Sequence, residues 1–394
     1  MSKLTVRDVE VNEKRVLVRV DFNVPLDDNG KVSDDTRIRA SVPTINYLLK
    51  NNARVILMTH LGRPKGEVKE ELRLNAVCSR LKELLETKVR KVDTVVGKDA
   101  ENAAAELKAG EVLLLENMRF EPGEEKNDLE LAQKLAQMGD LYVNDAFGTA
   151  HRAHASTEGV ARYLPAVSGL LLEKEINVLD NCLHKPERPF TAIFGGAKVS
   201  DKIGVIRRFL DVADYLLIGG GMANTFLAAK GYDMGNSFYE SSKLDVAKEL
   251  LELGEQKNNP LHLPDDVVVA EELVEGAACR EVAVDAIPEG WQSVDIGPIT
   301  RDNFSNIVRK SSLVVWNGPV GVFEVPPFHR GTEEVTRAAV NGDAYVLVGG
   351  GDTASAMESL GVVDKIGHVS TGGGATLEYL EGKDLPGISI LKEG

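Results

Sequence analysis

Cysteine is scarce: Cys78, Cys182 and Cys279 are the only three in 394 residues. An odd number of thiols, each about a hundred residues from the next, builds neither a disulfide framework nor a zinc cluster. All three are expected as buried, reduced packing residues. No apolar run reaches the ~20 residues that a membrane span needs. The N-terminal stretch "MSKLTVRDVEVNEKRVLVRVDFNVP" has no long apolar region before a small-residue cleavage site, so no signal peptide is expected and the implied setting is the cytoplasm. Positive charge is also short, with 46 Lys and Arg against 61 Asp and Glu and a net charge of −15. That balance argues against a generic nucleic-acid surface and requires any anionic ligand to find a local basic site. Heptads, low-complexity tracts and short-period repeats are absent, which excludes a coiled coil or solenoid. There is no "GxxxxGK[ST]" P-loop, and the protein-kinase signatures "HRD" and "DFG" are missing. Nor do the glycines have the "GxGxxG" spacing, with an acid ~20 residues on, of a dinucleotide-dependent oxidoreductase.

What is present is ordinary for a globular chain, 43% hydrophobic and 27% charged, and too long for a single core, so two domains are expected. Strand-like runs ("RVLVRV", "RVILMTH", "VLLLEN", "LYVND", then "FTAIFGG", "YLLIGGG", "LVVWNG", "YVLVGGG", "GHVSTGGG") alternate with amphipathic segments such as "NAVCSRLKELLETK" and "SDKIGVIRRFLDVA". This alternation is the mark of an α/β protein with mostly parallel sheets. The stretch "CLHKPERPF", with two prolines, is the best boundary.

The strand ends differ between the halves. In the first they carry charged or polar side chains: Asp21, Asn23, His60, Arg63, Arg119 and Arg152. In the second they carry glycines, at "FGGAK", "IGGGM", "VGGGD" and "STGGG". Ligands of open α/β sheets sit beyond the carboxyl ends of strands, so each half should hold its own. Glycines let backbone N–H groups approach a phosphate, and Lys198 and Lys202, flanking a candidate N-cap at Ser200, add the positive charge a polyphosphate would offset. Asp352 stands at a turn where a helix start favours anions. It either caps that helix or holds a cation between itself and a phosphate.

The ordered segments "RVDFNVP", "THLGRP", "ENMRF", "GTAHRAHAST", "GGAKVSDKIGVI", "GGGMANTFL", "WNGPVGVFE", "GGGDTASA" and "STGGGATLEYLEG" resemble those of the phosphoglycerate kinase family over nearly the whole chain, with no departure at a motif position. The resemblance implies two Rossmann-like lobes, each a mostly parallel β-sheet flanked by helices, joined by a hinge near "HKPERP" and "STGGGATLEYLEG". Residues 1–184, completed by 380–394, would bind the triose, and residues 185–379 the nucleotide. It implies reversible phosphoryl transfer between 1,3-bisphosphoglycerate and MgADP, giving 3-phosphoglycerate and MgATP, by a monomer with no nucleic-acid or membrane partner. Carried over by motif, Asp21, Asn23, Arg37, His60, Arg63, Arg119 and Arg152 form the triose site. Lys198, Lys202, Gly220, Asn317, Glu324, Gly350, Gly351, Asp352 and Thr353 form the nucleotide site. Arg37, Lys202, Gly350 and Gly373 act on the moving group, Asp352 is the Mg2+ ligand, and Glu324 takes ribose hydroxyls. A carboxylate acceptor is already ionised at neutral pH, so this chemistry calls for arginines and lysines and no general base.

Overall fold

The computed structural model describes residues 3–394. Packing divides the chain into two units. Unit 1 comprises the residues up to Asn177 together with Asp384–Gly394, and unit 2 is Val178–Lys383.

Unit 1 is built on six parallel strands: β1 (Arg15–Arg19), β2 (Arg54–Met58), β3 (Val89–Lys91), β4 (Val112–Leu114), β5 (Leu141–Asn144) and β6 (Ala166–Ser168), in the order β3-β4-β2-β1-β5-β6. The central strands are mostly apolar in their interiors because helices cover both faces of a parallel sheet, whereas the edge strand β3 reads Val-Arg-Lys. Those helices are α1 (Thr36–Lys50), α2 (Asn75–Leu84), α3 (Lys98–Ala105), α4 (Leu129–Ala136) and α5 (Leu170–His184), the last running across the division into unit 2. Ile38, Ile45 and Leu48 of α1 and Val77 and Leu81 of α2 share a buried cluster with Val16, Val18, Val55 and Leu57. The chain leaves β1 for β2 on one side and later returns to β5 on the other, so the sheet's switch point lies between β1 and β5.

In unit 2 the parallel sheet runs β15-β14-β13-β7-β8-β9, from β7 (Phe190–Phe194), β8 (Tyr215–Ile218), β9 (Leu261–His262), β13 (Leu313–Asn317), β14 (Tyr345–Gly349) and β15 (His368–Val369). From β7 the chain moves outward to β8 and β9, then restarts beside β7 at β13, which is the doubly wound order with its switch point between β7 and β13. A separate antiparallel sheet, β11-β10-β12, is formed by β10 (Asp266–Ala270), β11 (Cys279–Ala283) and β12 (Gln292–Ile296). Seven helices belong to this unit: α6 (Ile203–Val212), α7 (Gly220–Ala229), α8 (Leu244–Gln256), α9 (Pro298–Arg309), α10 (Arg330–Val340), α11 (Gly351–Ser359) and α12 (Gly374–Glu381). The two parallel sheets with flanking helices bear out the expected α/β class. The cysteines are a partial correction: Cys78 and Cys182 are buried, but Cys279 is exposed on β11, one of the two edge strands of the small sheet.

The last segment closes unit 1. Asn144 at the end of β5 donates through Nδ2 to Gly387 O at 2.8 Å, in the short helix α13 (Pro386–Ser389), and Lys392 N donates to Ala166 O at 3.0 Å. Several helix starts receive an acid from a strand end. Asp145 accepts from Leu171 N (2.9 Å) and Leu172 N (3.3 Å) of α5. Asp266 accepts from Ile299 N and Thr300 N of α9, and Asp295 from Gly331 N of α10 at 2.7 Å. These carboxylates satisfy N–H groups that the helices cannot pair internally. Each leans on a glycine: a Cβ at Gly169, Gly297 or Gly331 would collide with the carboxylate of Asp145, Asp266 or Asp295.

Candidate active site

In unit 1 a cationic hollow lies at the carboxyl ends of β1, β2 and β4. Phe22 N donates to Thr59 Oγ1 at 2.9 Å and Gly62 N to Asn23 Oδ1 at 2.8 Å, which ties the loop after β1 to the loop after β2. Arg37, in the first turn of α1, donates through Nη1 to Asp21 Oδ2 at 2.7 Å and keeps more than a third of its side chain exposed. Arg119 donates to Gly62 O at 2.7 Å and pairs through Nε with Glu125 at 3.1 Å. Asp21, Asn23, Arg37, His60 and Arg119 are thereby gathered. Arg152 is exposed and donates to His151 Nε2, yet it acts on His60 and Arg119 through its charge. Arg63 stands exposed outside this network.

His60 is buried at the centre. Burial, then the charges of Arg19, Arg119, Arg152 and Arg37, hold its pKa well below the ordinary imidazole value, so the ring is neutral. Burial and the neighbouring arginines also lower the pKa of Arg119. Cations are crowded here beyond what the protein's own acids balance, which is what a site for a multiply charged anion requires.

Four residues that the sequence reading missed complete this hollow. Arg19, the last residue of β1, is almost fully buried, donates through Nε to Ser156 Oγ at 2.9 Å and through Nη1 to Val20 O, and reaches His60 Nδ1 with Nη2 at 3.2 Å. Glu124 accepts from Ser156 Oγ at 2.6 Å and from Ser156 N at 3.0 Å, and lies 3.9 Å from His154 Nδ1. Burial and the charges of Arg19, Arg119 and Arg152 push the His154 pKa down to about 4. Ala155–Gly159 forms one π-helical turn, a local geometry often found where function needs it.

Unit 2 offers a different hollow at its switch point. The loops after β7, β8 and β13 cross backbone to backbone: Gly196 N donates to Pro319 O (2.8 Å), Gly220 N to Val320 O (2.9 Å) and Met222 N to Gly196 O (2.9 Å). A Cβ at Gly195 would collide with Pro319 O, and one at Gly220 would come 2.8 Å from Gly196 N. These glycines serve loop packing first, and Gly220 also lines a cavity of about 310 Å³ with Ala197, Phe238, Val320, Glu324 and Asp352. The walls are largely apolar, while Glu324 and Asp352 are exposed acids.

Beside this cavity Gly350, with φ +91°, is the N-cap of α11, and Gly373, with φ +54°, is the N-cap of α12. Among the described residues, and apart from the chain neighbours and the helix's own backbone, nothing lies within 4 Å of a Cβ built at Gly351 or Gly373, so both helix starts have open space in front of them. Asn317 is buried with no partner for Nδ2 among the described residues, and that amide faces the Gly349–Gly350 turn. The Thr353 hydroxyl is buried and accepts from Gly318 N at 2.7 Å. Asp352 is the acid of the first turn of α11, and its side chain is exposed. Lys202 is half-buried, and burial lowers its pKa against the opposing charges of Asp201 and Asp352. Lys198 is exposed. Ser200 is not the N-cap expected of it: α6 begins at Ile203 after Lys202, and the Ser200 hydroxyl donates to Glu240 at 2.7 Å.

A cationic hollow in one doubly wound unit and a glycine-lined cleft with open helix starts in the other define a two-unit α/β protein suited to two phosphorylated ligands. Residues 6–383 match the family model described as phosphoglycerate kinase, and the chain belongs to that family. It is 59% identical over 393 residues, covering 100% of both chains, to the phosphoglycerate kinase of Moorella thermoacetica. Among solved structures it is similar to phosphoglycerate kinase from Coxiella burnetii (41% identity, TM-score 0.89, 98% of each chain). It is likewise similar to that from Pyrococcus horikoshii (35% identity, TM-score 0.85, 99% of this chain and 98% of the other).

The buried His154 carries a pH signature. Unfolded, the imidazole ionises near 6.5, and folded near 4. Between these values the unfolded chain binds the extra proton, so stability is fully present above pH 6.5 and falls as pH drops toward 4. The buried Asp145, pushed up to about 7, contributes with the opposite sign, but it is common to wild type and variant. In urea unfolding at a series of pH values, wild type relative to His154→Gln should lose about 3 kcal/mol between pH 7 and pH 4. A difference that stays constant across that range would overturn the assignment.

Proposed function

We propose that the chain transfers a phosphoryl group reversibly between 1,3-bisphosphoglycerate and MgADP, yielding 3-phosphoglycerate and MgATP. The observation that carries the reading is the presence of unlike anion sites, with arginines that outnumber the acids around buried His60 in unit 1 and open glycine helix starts in unit 2. The acceptor in the reverse direction is an ionised carboxylate, so no group has to take a proton from it. The residues then position, neutralise charge and exclude water. His60, Arg63, Arg119 and Arg152 hold the phosphate that does not move, with Asp21 and Asn23 fixing the loop beneath it. Arg37 spans the substrate carboxylate and the transferring group, because its planar fork can donate to two oxygens at once.

On the nucleotide side the apolar cavity takes the base and Glu324 the ribose hydroxyls. Lys198, Lys202 and the free Nδ2 of Asn317 meet phosphate oxygens. The N–H groups at Gly350, Gly351 and Gly373 meet charge that develops on the moving phosphoryl. Thr353 contributes indirectly, by holding the Gly318 turn. Asp352 fits Mg2+: a hard cation that keeps several waters needs one or two carboxylates plus phosphate oxygens, and this carboxylate is exposed and unpaired. Bound there, the metal would neutralise phosphate charge. The setting is the cytoplasm and the working species a monomer, in keeping with small soluble substrates.

In-line transfer needs the two ligands within a few ångströms. We place the hinge that achieves this near "HKPERP" and "STGGGATLEYLEG". Solution scattering without ligand, with each ligand and with both should give a smaller radius of gyration only for the ternary state, and four equal radii would refute the closure.

In a coupled assay of ATP formation from 1,3-bisphosphoglycerate and MgADP, Arg37→Ala should lower kcat by roughly ten- to a hundredfold or more while the melting temperature stays near wild type. Near wild-type turnover would remove Arg37 from its role. Asp352→Asn should leave ADP binding without metal nearly unchanged and weaken the gain that magnesium brings, since an amide is the poorer ligand for a hard cation. Calorimetric titration of ADP with and without magnesium decides this, and an undiminished gain in the variant would rule out Asp352 as the ligand.

A further inference from the structure

The cationic hollow of unit 1 contains one wholly buried acid whose purpose the transfer chemistry leaves unexplained. Glu124 accepts three hydrogen bonds from the start of the π-helical turn: Ser156 N and Ser156 Oγ on its carboxylate, and Ala155 N on its backbone oxygen at 3.0 Å. That turn follows directly on the segment that carries His151, Arg152 and His154. Ser156 Oγ in turn accepts from Arg19 Nε, and Arg19 Nη2 meets His60. A continuous chain therefore runs Glu124, Ser156, Arg19, His60, with His154 beside its first member.

The carboxylate is placed as a counter-charge as well as an acceptor. Glu124 lies within the field of Arg19 and Arg119, which oppose the rise in pKa that burial imposes on it. The other acids at the hollow are engaged at its edges, Asp21 by Arg37 and Glu125 by Arg119. A buried cation without a partner is costly, and the planar guanidinium of Arg19 is held on Nε by Ser156 and on Nη1 by Val20 O while it presents Nη2 to His60. We propose that Glu124 is a positioning residue for triose-phosphate binding: through Ser156 it fixes the orientation of Arg19, and through the π-helical turn it fixes the loop bearing Arg152 and His154. Glu124 does not touch the substrate. It determines where the groups that do are held. The proposal rests on the reading of the unit 1 hollow as the triose site.

Steady-state kinetics of the full chain test it, with KM for 3-phosphoglycerate and for MgATP and kcat measured on wild type, Glu124→Gln, Ser156→Ala, the double variant and Arg119→Ala. Glutamine keeps the shape but has one acceptor oxygen and no charge. Glu124→Gln is expected to raise the 3-phosphoglycerate KM about tenfold or more, to leave the MgATP KM within about twofold, and to hold kcat at saturation within about threefold. A merely structural role would move the two KM values together or neither. Ser156→Ala should raise the triose KM severalfold, and the double variant should be no worse than Glu124→Gln, because both break one chain. Should Glu124→Gln fail to fold, Ser156→Ala alone decides: a selective rise in the triose KM supports the chain, and an unchanged value overturns it. If Arg119→Ala raises the triose KM while the folded Glu124 and Ser156 variants do not, the positioning role fails and the site assignment stands. If none of them raises it, the site assignment itself has failed and the proposal falls with it.

Discussion

Every helix of a parallel α/β unit starts near the carboxyl ends of the strands and brings several N–H groups that it cannot pair. How those groups are satisfied organises this molecule. Some starts are closed by the protein's own acids: Asp145 on α5, Asp266 on α9 and Asp295 on α10, each with a glycine making room for the carboxylate. The start of α7 is closed by carbonyl oxygens of neighbouring loops. The starts of α11 and α12 are left with glycine and open space. The same electrostatic demand is thus met internally at some helix starts and left open at others. Unit 1 instead gathers side-chain cations at its strand ends.

These two solutions explain the unequal legibility of the sequence. Apolar runs ending in glycine marked β7, β8, β13 and β14, since a buried parallel strand must be apolar throughout and must turn sharply at its end. Strands β3, β6 and β9, of two or three residues, lack the longer apolar run or the glycine run that mark the equally short β4 and β15. In the antiparallel sheet only β10 carries a comparable apolar run, "VVVA"; β11 ("CREVA") and β12 ("QSVDI") are mixed. The glycines are ambiguous, because a glycine that admits a phosphate and one that admits another loop's carbonyl look alike in a sequence. Gly195, in the run "FGGAK", is of the second kind, since a Cβ there would collide with Pro319 O.

Site residues followed a similar rule. Asp21, Asn23, His60 and Arg119 stand at strand ends, and position in the chain pointed to them. Arg19 sits inside the run "RVLVRV", where an arginine at an alternate position looks like a solvated strand face. Only the tertiary fold shows it to be buried, because its partners Ser156 and His60 lie 137 and 41 residues away. Lys198 and Lys202 flank Ser200, the expected N-cap, but the helix begins only at Ile203, with Lys202 itself as the N-cap.

The return of the last segment to unit 1 bears on how the protein is made. Residues 384–394 supply Gly387 and Lys392 to backbone and side-chain bonds with Asn144 and Ala166. They leave the ribosome after the whole of unit 2, which is continuous in the chain from Val178 to Lys383. The unit encoded first therefore cannot finish folding first. During synthesis β5 and β6 of unit 1 wait with these groups unsatisfied while unit 2 has all its residues available, which reverses the usual order of vectorial folding. The nascent unit 1 is the species that a chaperone would have reason to hold.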